Sequence, residues 1–323
     1  MKAIVRSKYG GPDVLQLGEI GKPVPKDNEV LVRVHAASVN PVDYHLMRGT
    51  PYIMRLEGGL FRPKNFGIGV DVAGHIEAVG KNVKEFRPGD EIFGACNGAL
   101  AEYVCASEKS IVKKPVNVTF EQAAAVPIAA FTALQGLRDQ GLIQQGQKIL
   151  INGAAGGVGT FAVQIAKSLG AEVTGVCSTR NVEMVRSIGS DHVIDYTQED
   201  FTRSKNRYDL IFDLVGNRTF SACNRVLKNQ GTLVIVGSQS KGRLLGPLAR
   251  ALRGLLISRF VSQRIQIFMA KWSKKDLMTM HELLEAGKVK PVIDRCYNLS
   301  EVSEAIRYLE EGHAQGKVII SLS

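Results

Sequence analysis

The chain has 323 residues, a length that fits about two domains, and its 45% hydrophobic and 22% charged content excludes a disordered polymer. A net charge of +10 invites a nucleic-acid or membrane partner, yet nine Lys and Arg and no acid fall within residues 241–275, leaving the remainder nearly neutral. Five cysteines without a C-x-x-C pair argue against a disulfide framework, and no leader or 18-residue apolar run is present, so the expected setting is a reducing compartment, the cytoplasm.

Residues 1–117 predict strands and turns. The chain opens as a strand at residues 1–6, and residues 30–36 and 71–80 alternate like half-buried strands. Clusters of Gly, Pro and Asp at 10–13, 26–28 and 88–90 punctuate them, which predicts a β-rich domain of barrel type. Between two of these strands, Ser38-Val39-Asn40-Pro41-Val42-Asp43-Tyr44 reads as the start of a long polar connection through Tyr52, Arg55, Gly58, Gly59 and Pro63. Polar loops of that length commonly cover a ligand. Helical pattern begins near Thr119, over residues 121–126 and again over 129–137.

An apolar run at 149–151 then breaks into Asn152-Gly153-Ala154-Ala155-Gly156-Gly157-Val158-Gly159 and resumes as a helix that stops at Gly170. A second strand follows at 172–176, so residues 148–176 form one βαβ unit. A dinucleotide-binding turn needs glycine where the backbone turns, where it approaches a pyrophosphate, and where helix meets strand. Gly156 and Gly159 fill the last two places; the first falls on Ala154, leaving Gly153 one residue early. The helix N-terminus would stabilise a facing anion by about 0.3–1 kcal/mol. After the second strand comes Cys177-Ser178-Thr179-Arg180-Asn181, with no Asp or Glu to hold a ribose hydroxyl. Two hydroxyls and a guanidinium suit a 2′-phosphate instead, which predicts NADPH; Ser178 and Thr179 serve equally to start a helix over 181–188. Short apolar runs at 193–196, 209–213 and 231–237 extend the pattern to a doubly wound parallel sheet, with ligand at the strands' carboxyl ends.

In the basic window, Leu244, Leu248, Ala251 or Leu252, and Leu255 recur at helical spacing beside Arg250 and Arg253. That stripe fits a peripheral helix on a membrane surface, or core or subunit contact. The tail reads as strand, helix and strand from Val289 to Ile320 and is expected to rejoin the first domain.

With Asn40-Pro41-Val42-Asp43, the glycine turn at 154–159 and the ending Gly316-Lys317-Val318, nearly the whole chain resembles the medium-chain dehydrogenase/reductase superfamily, in its zinc-independent quinone oxidoreductase branch. The Ser-Thr-Arg-Asn run and residues 312–317 are similar to the subgroup of chloroplast envelope quinone oxidoreductase homologues and reticulon-interacting mitochondrial oxidoreductases. The resemblance implies an α/β chain: a GroES-like β-barrel domain at 1–117 and 285–323, plus a Rossmann doubly wound parallel sheet at 118–284. Cofactor contacts would fall to Ala155, Gly157 and Val158 at the pyrophosphate and to Ser178, Thr179, Arg180 and Asn181 at the 2′-phosphate. Tyr196 would flank the adenosine, Gly237 and Ser238 the nicotinamide, and His313 with Ala314 would close over it.

Zinc-dependent members carry a cysteine in the loop occupied here by 40–43 and a Gly-His-Glu where this chain has Gly69-Val70-Asp71. The six histidines stand singly, at 35, 45, 75, 192, 281 and 313, so no zinc is expected, and the resemblance implies that only His45 and His313 fall near the active site. Hydride addition to a quinone or an α,β-unsaturated carbonyl places charge on a delocalised oxygen that hydrogen-bond donors can stabilise. The candidates are Tyr44 and Tyr52 as donors or proton sources and Asn40 as an orienting amide, although either aromatic could equally pack a wall. The substrate is then a small quinone or enone, with no nucleic-acid partner and a monomer or homodimer as the assembly. The alternatives are a zinc-free NADP-dependent alcohol dehydrogenase, or an NADPH-binding interaction protein that docks through the basic segment.

Overall fold

Strands in this chain follow from two patterns, alternation where one face is wet and unbroken apolar runs where both are covered. The computed structural model describes residues 1–52, 54–64, 67–236 and 262–322. It divides into two units, Met1–Ala129 with Trp272–Ser323, and Ala130–Lys271.

In the first unit β1 (Lys2–Val5) pairs antiparallel with β2 (Gln16–Glu19). The main sheet uses β3 (Glu29–Val39), β4 (Asp71–Val79), β5 (Glu91–Ala95), β6 (Tyr103–Ser107) and β7 (Ile111–Lys113). Between β3 and β4 the chain forms α1 (Pro41–Arg48) and α2 (Met54–Gly58), where the sequence suggested a loop. The helical start signals are all present: Asn40 has extended backbone at the N-cap, Pro41 takes the first turn, and Asp43 accepts the Asn40 N–H at 2.7 Å. Gly49, at φ 60°, ends α1 in the left-handed conformation that glycine adopts at least cost.

After α3 (Phe120–Ala124) and α4 (Pro127–Gln135) the second unit begins its own sheet: β8 (Lys148–Asn152), α5 (Gly157–Ser168), β9 (Glu172–Cys177), α6 (Val182–Ser187), β10 (His192–Asp195), β11 (Tyr208–Asp213), α7 (Phe220–Asn224), β12 (Leu227–Ile235) and β13 (Arg264–Ile267). All pairings are parallel, in the order β10-β9-β8-β11-β12-β13. Numbered within the unit this is 3-2-1-4-5-6, the Rossmann order, whose direction reverses between β8 and β11. Ile149, Leu150 and Ile151 are wholly buried, as expected of a strand covered on both faces, and each contributes roughly 1.5–3 kcal/mol of burial. β13 lies inside the basic window and was not expected as a strand; the helical stripe at 244–255, with Arg250 and Arg253, lies outside the described residues.

The chain then returns to the first unit through α8 (Lys274–Glu285), β14 (Ile293–Asn298), α9 (Val302–Glu310) and β15 (Lys317–Ser321). β15 pairs antiparallel with β3 and parallel with β14. Its Val318 and Ile320 share one core with Val32 and Val39 of β3 and with Val302 and Ile306 of α9. The boundaries differ from 117/118 and 284/285 for a packing reason: α3 lies against β3, β4 and β5, and α8 against β7, so both helices belong with the first unit. Lys274, the last but one of the basic window's cations, pairs with Glu85 at 2.8 Å and donates to the Glu108 carbonyl at 3.1 Å, fastening α8 down.

Candidate active site

Glycine is required in the β8–α5 turn by steric limits that can be read atom by atom. Gly153 has φ 91° and supplies the turn, so this role falls on Gly153 and not on the buried Ala154. A Cβ on Gly159 would lie 2.1 Å from the Gly153 carbonyl oxygen, so helix and strand approach only because it is absent. Gly156 differs. A Cβ there would meet nothing nearer than Gly153 O at 3.6 Å, so the protein's own packing does not exclude a side chain. Gly156 is the N-cap of α5, no side chain caps that terminus, and its first turn has no acid. An open cradle of backbone N–H groups at the positive end of a 12-residue helix therefore fits a pyrophosphate. Ala155 precedes this N-cap, and Gly157 and Val158 are the first two residues of α5. Alongside, the Asn152 amide donates to Asp213 at 2.8 Å, joining the carboxyl ends of β8 and β11 at the point where strand order reverses.

At the end of β9 the structure brings Ser178, Thr179, Arg180, Asn181 and Tyr196 together. Thr179–Asn181 is a single 3₁₀ turn, the Asn181 amide donates to Ser178 Oγ at 3.2 Å, and the Tyr196 N–H donates to the Cys177 carbonyl at 3.0 Å. Arg180 and Tyr196 are exposed. No acid stands at residues 178–181, directly after β9, but one arrives from the neighbouring strand. Asp195 stands in register with Cys177 and accepts the Thr179 hydroxyl at 2.6 Å. That bond holds the Asp195 carboxyl below its usual range and engages one of the two hydroxyls expected at a phosphate.

In the first unit Asn40 is 2% exposed and its amide is engaged at both ends. Its Nδ2 donates to Asp71 at 2.9 Å, and its Oδ1 accepts from the Lys317 ammonium. Asp71 also accepts Ser38 Oγ at 2.7 Å and the Ile128 N–H at 3.1 Å, and lies 3.5 Å from Lys317 Nζ. The cluster thus contains two fully buried carboxylates, Asp71 and Asp43, and one fully buried ammonium. Burial pushes Lys317 down, partly offset by Asp71 and Asp43. Burial pushes the Asp43 carboxyl up to about 7, and its Oδ1 has no hydrogen-bond partner.

A pH dependence follows. The folded-state value of Asp43, about 7, exceeds the ordinary 3.8, so its contribution to stability is complete below about pH 4 and is lost as pH rises through about 7. At about 1.36 kcal/mol per unit the loss is at most about 4 kcal/mol. Asp43→Asn keeps the acceptor for the Asn40 N–H and cannot ionise. Urea unfolding at pH 5 and pH 8 should show the wild type weakening between them and the variant changing much less.

Tyr44 is half-buried, and burial followed by Glu310 pushes its phenol above the usual range. The Tyr52 ring is 38% exposed and lies against the Arg55 guanidinium. His313 is exposed; Ala314 packs on the first core, and the neighbouring Gln315 N–H is held by Asp294 at 2.8 Å. Gly237 and Ser238 lie outside the described residues. The histidines are not all single, since His75 Nδ1 and His35 Nε2 stand 2.9 Å apart where β3 bulges at His35. Among the described residues no three His, Cys, Asp or Glu converge as a metal site.

Comparison with known proteins agrees with this layout. Residues 26–116 match the family model "Alcohol dehydrogenase GroES-like domain", and residues 188–320 match "Zinc-binding dehydrogenase". The chain is 36% identical to the mitochondrial NAD(P)H oxidoreductase RTN4IP1 of Mus musculus, covering 100% of this chain and 89% of that one. It is 34% identical to the chloroplastic NADPH-dependent alkenal/one oxidoreductase of Arabidopsis thaliana, over 99% of this chain and 79% of the other. Among solved structures the quinone oxidoreductase from Coxiella burnetii superposes with a TM-score of 0.85 at 31% identity, covering 100% of this chain and 99% of that one.

Proposed function

Since the chain belongs to the medium-chain dehydrogenase/reductase superfamily, in its quinone oxidoreductase-like branch, we propose that its residues carry out the NADPH-dependent reduction of a quinone or an α,β-unsaturated carbonyl without zinc. The observation that carries this reading is the pairing of an open glycine cradle at a Rossmann helix with a buried Ser38–Asn40–Asp71–Lys317 network where zinc-dependent relatives place metal ligands. NADPH, when bound, supplies the hydride, and a proton from solvent or a side chain completes the two-electron reduction. Ala155, Gly157 and Val158 would hold its pyrophosphate, Ser178, Arg180 and Asn181 its 2′-phosphate, Tyr196 its adenosine, and Gly237, Ser238, His313 and Ala314 its nicotinamide end.

Although one matching family model is described as zinc-binding, the donors do not suit a dication. Zinc sites use thiolate, imidazole or carboxylate, and here the carboxylate of Asp71 is already bonded to Ser38, Asn40 and Ile128 beside a buried ammonium. We therefore assign Asn40 to orienting Asp71, Lys317 and the start of α1, and the acceptor's oxygen to Tyr44 and Tyr52. A phenol raised by burial stays protonated across the physiological range, so Tyr44 serves as a hydrogen-bond donor to developing negative charge. A reducing compartment such as the cytoplasm fits five cysteines that form no disulfide. No helix among the described residues is long and apolar enough to cross a membrane.

The direct test is NADPH oxidation against quinones, enones, enoyl thioesters and aldehydes, with and without chelator. Turnover of quinones or enones that chelator leaves unchanged supports the reading; turnover of simple alcohols with NADP contradicts it. For the cofactor, Arg180→Ala removes a charge-assisted bond of about 1.5–3 kcal/mol and should raise the NADPH Kd roughly 10- to 150-fold. The NADH Kd should hardly move. Fluorescence titration of both cofactors checks this, and equal losses would remove Arg180 from the phosphate.

A further inference from the structure

One guanidinium organises the segment after α1. Arg55 Nε donates to the Gly49 carbonyl at 2.9 Å and Nη2 to the Arg48 carbonyl at 3.2 Å, satisfying the C-terminal end of α1. Its Cζ lies 4.5 Å from the centre of the Tyr9 ring and 4.7 Å from that of Tyr52. Tyr9 is itself anchored by its hydroxyl, which donates to the Gly59 carbonyl at 2.7 Å. The fit is close: a Cβ on Gly49 would meet Arg55 Nε at 2.6 Å and the Tyr9 ring at 2.7 Å. A planar cation bonded in its plane and stacked on two rings is a use that lysine cannot reproduce.

We propose that Arg55 is a positioning residue for Tyr52, setting the height and tilt at which the exposed ring is presented to the acceptor. This rests on the reading that Tyr52 donates to the acceptor's oxygen. Tyr52 sits in the segment between two short helices, where its carbonyl accepts the Arg55 N–H at 3.0 Å; the guanidinium adds a contact to the ring itself. Arg55 touches no substrate in this scheme. Its effect passes through one ring and through the carbonyls that end α1.

The test is a double-mutant cycle in steady-state kinetics, with NADPH and the best quinone or enone acceptor from the screen. Arg55→Ala should lower kcat about tenfold, a misplacement effect, and leave the KM for NADPH unchanged. Arg55→Lys should recover part of that loss. Tyr52→Phe should lose at least as much, and adding Arg55→Ala to it should cost nothing further, because the ring through which Arg55 acts no longer carries its hydroxyl. Additive losses, or wild-type kcat in Arg55→Ala, overturn the proposal while leaving Tyr52 as donor. Full activity in Tyr52→Phe removes Tyr52 from the chemistry and the proposal with it. If Arg55→Ala lowers the unfolding midpoint steeply, the same cycle run with Arg55→Lys decides, since partial loss there must again vanish in the Tyr52→Phe background.

Discussion

Gly156→Ala should leave a folded protein that has lost most of its affinity for NADPH, whereas Gly159→Ala should damage the fold itself. Both change one hydrogen to a methyl in the same turn, and geometry separates them. At Gly156 the new carbon has 3.6 Å to its nearest neighbour and the backbone φ of −80° suits alanine, so the fold loses only the weaker N-cap, about 0.5–1 kcal/mol. The methyl instead fills the cradle that we assign to the pyrophosphate, and the NADPH Kd should rise at least about tenfold, some 1.4 kcal/mol. At Gly159 the new carbon would lie 2.1 Å from Gly153 O and 2.7 Å from the Ala154 carbonyl carbon, both backbone atoms. Helix and strand must separate, at a cost of about 1–3 kcal/mol or more. Thermal unfolding with and without NADPH checks both: the Gly156 variant's apo midpoint should fall by no more than a few degrees and its shift with NADPH should be lost, and the Gly159 variant's apo midpoint should fall much further. A Gly156 variant that binds normally would place the pyrophosphate elsewhere.

Lys317→Met should cost about 3–5 kcal/mol, the range for breaking a buried ion pair from one side. Methionine fills the volume of the lysine stem, so the loss is electrostatic and not a cavity effect. What remains is Asp71, with three donors but no cation, and Asp43, whose carboxyl Lys317 had helped to hold down. Without that help the Asp43 value climbs further above 3.8. The Asp43 part of the loss should therefore be flat in acid, where the folded carboxyl is protonated in both proteins, and deepen as pH rises through about 7. Urea unfolding across pH 5 to 8 reads this directly. A pH-independent loss under about 1 kcal/mol would mean that the ammonium contributes little beyond its neutral hydrogen bonds.

Local signals in the sequence were enough for the Rossmann sheet. A strand, a glycine turn, a helix and a strand follow within 30 residues, and unbroken apolar runs mark β8 and β11 because both faces of each are covered. Signals that depend on register were hidden. Asp195 meets Thr179 only because β10 pairs beside β9, and residues 178–181, directly after β9, include no acid. His35 meets His75 because of a bulge that alternation does not reveal. The helix α1 was legible in principle, with Asn40, Pro41 and Asp43 at N-cap, N1 and N3, but eight residues with so polar a beginning resemble a loop. Lys317 stood in a motif that carries the family resemblance, and Asp71 where zinc-dependent members carry Gly-His-Glu; that they share one buried network with Asn40 needed the pairing of β15 with β3.

That last pairing bears on how the molecule is made. Lys317 and the Asn40 it bonds are 277 residues apart, and a ribosome adding about 5–20 residues per second takes roughly 15 to 55 s to cover that distance. Through that interval the nascent amino-terminal sheet lacks a strand along β3, and its acidic cluster lacks a counter-ion. The Rossmann unit, whose strands are all encoded between the two, can emerge and close first. Assembly of the first unit is therefore completed only after β15 has been synthesised, and chaperone dependence during translation should concentrate on the segment that holds β1 to β7.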